Sequence, residues 1–283
     1  MKKAIVIIIS CLLPVLAWGQ AQINTKKVKI SDFTQKVTKV VLSGNDLIDG
    51  ILQDEITVRW RVSPYEFCSV EDFEKLKNSD EYYFLITASG QFSKEEEPSL
   101  LFLTLVKGGN GADKGIDSML EVVSIPIASA VFPNGREQIF FPAFLDIIQN
   151  HALEAMKKDL NAYGGLANNT AHISRAHDMT IVFSEDDLSE SVTEMVKDQF
   201  FDESIIVTDE DTADGYLMDN AENTLVSYTV APFEAEPGSY CYKMLIDAQS
   251  HKVYYYKRHR ITKKTGPGFL RDDILRITAG RAR

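Results

Sequence analysis

Along this chain the spacing of apolar positions switches between the period of a strand and that of a helix, and it does so twice in the same order. Residues 40–42 read as a short buried strand. Ser43, with Asp46 three residues on, is a capping-box variant that opens a helix whose apolar positions are Leu47, Ile48, Ile51 and Leu52. A second strand is predicted over 59–62, local helical character over 70–76, and a sheet-centre strand over 82–86. Residues 100–106 and 119–125 alternate on either side of turn-forming sequence, the pattern of an antiparallel hairpin.

From Thr180 the order begins again. A strand over 180–183 leads to Ser184 and Asp187, and then to a helix with Leu188, Val192, Met195, Val196 and Phe200 on one face. Strands follow over 204–207 and 216–218, and 240–246 and 252–259 form the closing hairpin. The word at 40–47 matches the one at 181–188 in four of eight positions, and each copy is followed by an Asp-X-Tyr entry, at Asp80 and at Asp214. The expected fold class is therefore α/β (α+β): two tandem related units, each a mixed sheet with one face covered by helices and a C-terminal antiparallel hairpin.

Between the copies, Pro142 starts a helix with Phe144, Ile147, Ile148, His151, Ala155 and Met156 in one stripe, ending at Gly164 and Gly165. It suits either core or a bridge between both. The organisation expected is a signal peptide at 1–19, a first unit with bridging helix at 20–165, a linker at 166–178, a second unit at 179–265, and a tail at 266–283 with a short helix over 269–277. At 264 residues the processed chain suits two cores of about 100 to 130 residues each.

The amino-terminal reading rests on Lys2 and Lys3 before an apolar run ending at Trp18, with Ala17 and Gly19 where a signal peptidase inspects small residues. Pro14 interrupts a run too short to span a bilayer, so no transmembrane segment is expected in the mature chain. Cys11 loosely fits a lipid-attachment site, but cleavage there would leave an apolar mature terminus, so export without a lipid is favoured. The expected location is the periplasm, with outer-membrane association left open. Processing leaves 28 basic and 41 acidic side chains, a formal charge of −13. Such a surface repels nucleic acid and anionic lipid.

Cys68 and Cys241 survive processing; they fit a disulfide in an oxidising compartment or two separately buried thiols. No catalytic motif, metal site or cofactor is called for. The glycine-rich stretch 108–115 lacks the Gly-Lys-Ser/Thr ending of a phosphate loop. Residues 209–215 lack a calcium loop's glycine at the sixth position and its bidentate Glu. His172 and His177 do not share a helix face, and the His177–Asp178 pair has no nucleophile elbow to serve.

The second unit, from the strand at 180–183 through Asp214-Gly215-Tyr216-Leu217 to 245–253, resembles the amino-terminal domain of the TolB translocation protein and the related domain of the curli secretion channel. That resemblance covers about 180–261, lacks a glycine in the hairpin, and implies an envelope protein that works by protein contacts. The partner surface expected from the residues is the aromatic-basic run in which Tyr254 and Tyr256 share one strand face, followed by Arg258 and Arg260. An assembly or adaptor component with an envelope protein as partner is the expectation. The alternative is a hydrolase-like exported enzyme with its site in the cleft between the units.

Overall fold

The computed structural model describes residues 30–92, 99–157 and 165–281. Residues 1–19, expected as a signal peptide, the acidic run at 95–97 and Gly164 fall outside them. The first unit runs β1 (Val37–Val41), α1 (Asp46–Arg59), β2 (Tyr65–Cys68), α2 (Val70–Leu76), β3 (Tyr82–Gly90), β4 (Leu100–Lys107) and β5 (Leu120–Ser129). After α3 (Arg136–Lys157) and a 3-10 helix (Gly165–Arg175), the second runs β6 (Thr180–Ser184), α4 (Glu194–Phe200), β7 (Ile205–Thr208), α5 (Glu210–Met218), β8 (Thr224–Val230), β9 (Tyr240–Asp247) and β10 (Val253–Arg260). Helix α6 (Arg271–Arg281) closes the described chain.

The two sheets have the same topology. Strand orders are β2-β1-β3-β4-β5 and β10-β9-β8-β6-β7, so in each the first strand lies between the second and third. Both pairs around that first strand are parallel, and the last three strands form an antiparallel meander. Val41 and Val182, equivalent in the repeated word, sit in equivalent strands. The tandem reading holds at the level of strand order and direction.

Several element boundaries differ from expectation, each for a local reason. Residues 59–62 are not a strand: α1 runs on to Arg59, tied to Glu55 at 2.6 Å, and Trp60 caps its end as a buried ring whose indole N–H donates to Ser63. The second strand follows at β2. Residues 216–218 belong to α5, which Asp209 caps by accepting the Thr212 N–H at 2.9 Å, and the true third strand is β8. The Asp-X-Tyr correspondence was therefore a coincidence of short words. The helix expected directly after Ser184 is only a 3-10 turn (Glu185–Asp187), because Leu188 bridges to Phe269. Helix α4 starts later, and Met195, placed on its apolar face by spacing, is 77% exposed. Helix α3 begins at Arg136 and carries Pro142 inside it, and the final helix begins two residues after Phe269, whose ring is buried.

Residues 166–178, expected as a linker, lie against the outer edge of β10. The Thr170 hydroxyl donates to the Tyr256 carbonyl, His172 lies 3.3 Å from the Val253 carbonyl, and Ile173 and Ala176 are buried. Two of the edge strand's backbone carbonyls are thereby partnered. Nor are there two separate cores. One cluster joins Leu52, Tyr83, Leu103 and Ile125 of the first unit to Val226, Tyr228, Met244 and Ile246 of the second. Helix α3 lies within it: Phe140, Phe141, Phe144, Leu145 and Ile148 are all at 0% exposure, so its apolar surface goes well beyond one stripe. Each such side chain contributes about 1.5–3 kcal/mol of burial, and α3 delivers this to both units. The bridging role is the one it takes.

Smaller clusters cover the far faces. Phe73 of α2 packs edge-on against Phe84 at 5.0 Å beneath the first sheet. Under the second, Tyr255, Phe183, Phe269, Ile274 and Ile277 pack together, and there Lys243 and Asp273, both at 0% exposure, form an ion pair. The Tyr255 hydroxyl and the Lys257 ammonium both donate to Asp273, at 2.7 and 2.8 Å. Burial works against the Asp273 charge, yet Lys243, Lys257 and Tyr255 hold its pKa at about 2. Replacing Asp273 by Ala strands a buried lysine, and a loss of about 3–5 kcal/mol is expected in urea unfolding. Because the folded pKa lies below the unfolded value, the wild-type contribution is present above about pH 4 and lost as pH falls toward 2.

Glu121 on β5 behaves in the opposite sense. Burial, then the like charge of Asp117, raises its pKa to about 7, and the Tyr242 and Tyr256 phenols of the second unit feel its charge. Between the unfolded value of 4.5 and about 7 the folded chain binds the extra proton, so stability falls as pH rises through that window. Glu121→Gln is expected to stabilise the protein by about 2 kcal/mol at pH 8 and by little at pH 4, as measured by parallel urea titrations.

Candidate interaction surface

The crevice at the carboxyl ends of the strands, beside the point where strand order reverses, is where open α/β sheets bind ligands. In the second unit that place lies between β6 and β8. Their ladder ends at the Val182–Val226 pair, and beyond it the Ser184 N–H donates to the Ser227 hydroxyl at 3.0 Å. Arg136, the first residue of α3, fills the gap. Its Nε lies 2.8 and 2.9 Å from the two Asp214 oxygens, its Nη1 3.0 Å from both Asp187 oxygens, and its Nη2 donates to the Ser227 carbonyl at 2.9 Å.

Ser227 and Thr229 each donate to Asp187 at 2.5 Å, which completes that carboxylate's acceptors. The guanidinium lies about 5.1 Å from both the Phe140 and Tyr228 ring centroids. Arg136, Asp187 and Asp214 are all under 5% exposed. Burial opposes the Arg136 charge, but the two carboxylates more than offset it and raise its pKa; Asp214 is raised, because burial outweighs the pull of Arg136. Glu210, at 3.9 Å and a third exposed, is raised chiefly by burial as well. The converging carboxylates are thus taken up by the chain's own cation. In the first unit the corresponding loop is closed by Asp49, which accepts from the Ser43 N–H and hydroxyl and the Gly44 N–H at 2.8–3.0 Å.

The four residues expected as a partner surface are split by the fold. A register shift between Val253 and Tyr255 puts Tyr254 with Tyr255 on the outer face of the sheet, while Tyr256 packs at 6.1 Å from Tyr242 in the shared core. They therefore do not share a face. Arg258 lies 4.9 Å from the Tyr240 ring centroid and donates to the Tyr242 hydroxyl, and Arg260, the one exposed member, donates to the Gly238 carbonyl. Burial and neighbouring rings use most of this cluster.

Cys68 and Cys241 are free thiols in different sheets, so the disulfide considered from the sequence is not formed. Burial pushes the Cys241 thiol up to about 12, and Gly268 donates to its sulfur. The glycine-rich turn is packed: a Cβ on Gly108 would meet the Ser79 carbonyl at 2.2 Å and one on Gly111 the Ser118 carbonyl at 2.1 Å. Close backbone approach accounts for those glycines. Residues 210–215 lie in α5, His177 and Asp178 pair at 2.9 Å in solvent, and burial holds His151 near 4.

What the sequence did not single out is an exposed aromatic pair at the junction of the units. Phe132, in the loop from β5 to α3, is 59% exposed, and Phe233, in the loop from β8 to β9, is 64% exposed. Their ring centroids are 4.8 Å apart, Val131 beside them is 56% exposed, and the Phe233 N–H donates to the Ser129 hydroxyl. Under the rings lies a pit of about 170 Å³ between Ser129, Tyr228, Thr229 and Val230. The Tyr228 hydroxyl donates to the Ile127 carbonyl at 2.6 Å across the junction, fixing the pit floor. A larger groove of about 450 Å³ runs between Asp186, Glu190, Lys263 and Lys264, where surface charges of both signs face each other.

No family model matches the chain, and no curated protein or solved structure matches it either. Among the described residues no helix is long and apolar enough to cross a membrane.

Arg136→Met would leave two buried carboxylates without their cation, and a loss of about 3–5 kcal/mol in urea unfolding is expected. Arg136→Lys is also expected to be clearly destabilising, since one ammonium cannot reach both carboxylates and the Ser227 carbonyl in the planar fork that the guanidinium supplies. A lysine variant as stable as wild type would show that charge alone suffices.

Proposed function

We propose that this chain is an exported cell-envelope protein that acts through protein contacts as an assembly or adaptor component, residues 1–19 being its export signal. The observation that carries this reading is the Phe132–Phe233 pair, two aromatic side chains held in solvent at the rim of a rigid two-unit frame. Exposed aromatic side chains at a concave junction mark contact sites more often than scattered apolar residues do. Support also comes from the crevice of the second sheet, where Arg136 occupies the space a substrate would need. A formal charge of −13 after processing favours a partner that is not itself acidic. The likeness of the second unit to the TolB-type envelope domain points the same way.

The test is to express the chain in its native host with a photo-crosslinking residue at position 233, and separately at exposed Lys75, and then to fractionate the cells. The expected result is a periplasmic chain beginning at or near Gln20, with a discrete crosslinked species from position 233 and none from position 75. Cytoplasmic retention would overturn the location, and equal or absent crosslinking at both positions would overturn the contact role.

A further inference from the structure

Beyond the general contact role, on which this step rests, we infer that the pit beneath Phe132 and Phe233 receives a single aromatic side chain of a partner segment in which that residue is flanked by lysine or arginine. Three observations lead there. The first is size: a cavity of about 150 Å³ accommodates a benzene ring, and this pit measures about 170 Å³.

The second is its lining. Tyr228 and Val230, both buried, close the bottom, and the exposed apolar surface comes from the two rim phenylalanines, which stand where edge-to-face packing on an incoming ring is available. Asn134 and Thr229 add polar atoms, so a ring with a polar edge, tyrosine above all, suits the lining better than an aliphatic side chain. The pit is also preformed. Its floor is held by the Tyr228–Ile127 hydrogen bond and one rim by that from Phe233 to Ser129, so little ordering is required on binding.

The third is charge. Glu234 follows Phe233 directly and Glu236 lies three residues on; both are exposed, and neither carboxylate makes a hydrogen bond or ion pair with a described residue. Elsewhere on this surface lysines beside acids are commonly paired, as at Lys75–Asp72, Lys157–Glu154 and Lys197–Glu194. Two carboxylates on the loop that carries Phe233 complement cations flanking an inserted ring, and they repel an acidic segment.

The probe is the peptide acetyl-Gly-Lys-Tyr-Lys-Gly-amide, titrated into the purified protein and followed by amide chemical shifts. Companion peptides carry Ala in place of Tyr, or Glu in place of both lysines. Shifts confined to the loops around Phe132 and Phe233 are expected, with binding weakened at least tenfold by either peptide change. Phe233→Ser should weaken binding by a similar factor, and paired Glu234→Lys and Glu236→Lys should invert the preference toward the Glu-flanked peptide, both with unchanged thermal melts.

No shifts in these loops, equal binding of the Ala or Glu peptides, or full binding by Phe233→Ser would each overturn the inference. So would a concentration-dependent dimer in sedimentation that Phe233→Ser abolishes, which would assign the surface to a second copy of the chain. The two readings separate in the crosslinking experiment: a discrete adduct from position 233 beside a failed peptide titration removes only this ligand class. Absent crosslinking removes the contact role itself.

Discussion

The arrangement of the two units depends on one guanidinium. Arg136 opens a helix, a position where the macrodipole disfavours a cation, and it lies in an interior that would expel an unpaired charge. It is held there because Asp187, Asp214 and the Ser227 carbonyl receive its donors in directions that a planar fork can meet together. Such a cluster adds little net stability over a well-packed apolar substitute, but it is satisfied in only one arrangement. Moving α3 away from β6 and β8 would leave two buried carboxylates facing each other. The ion cluster thus fixes where α3 sits, and α3 in turn fixes the first sheet against the second.

The duplication is kept in the sheets and lost around them. Strand order and direction are shared, yet the end of β1 is closed by a carboxylate from its own helix, while the end of β6 is closed by an arginine from outside the unit. Where each copy meets the other, aromatic rings take over: Phe102 against Tyr242 at 5.7 Å, Phe92 against Tyr240 at 4.8 Å, and Phe140 against Tyr228 at 4.3 Å. His251 and Asp146, 2.7 Å apart, pin the second unit's hairpin turn to α3. The result is one body with one shared core, with an exposed aromatic pair at the rim of the junction.

Local signals read well wherever the interaction that decides an element is itself local. Both closing hairpins, the strand at 180–183 and the repeated order of the sheets follow from alternation and turn chemistry within a few residues. The boundary at Trp60 and the helix over 210–218 depart from the apolar spacing because hydrogen bonds to side chains at their ends, from Trp60 to Ser63 and from Thr212 to Asp209, outweigh it. The tyrosine run departs from simple alternation at one bulge, since a single inserted residue turns each following side chain to the other face.

By itself, then, the sequence determined the fold class, the duplication and the path of most strands, because these depend on periodicities and caps that a short window contains. It could not show Arg136. Its carboxylates lie 51 and 78 residues away, and nothing near them in the chain distinguishes them from a helix-end acid or a solvated turn. Nor could it show that Phe132 and Phe233, 101 residues apart, meet in solvent while Tyr255 and Tyr256 are covered on opposite faces of the sheet. Which aromatic side chains are buried and which are left exposed depends on how two sheets close over a shared helix. Only the tertiary structure decides that, because each exposure results from surfaces contributed by distant segments.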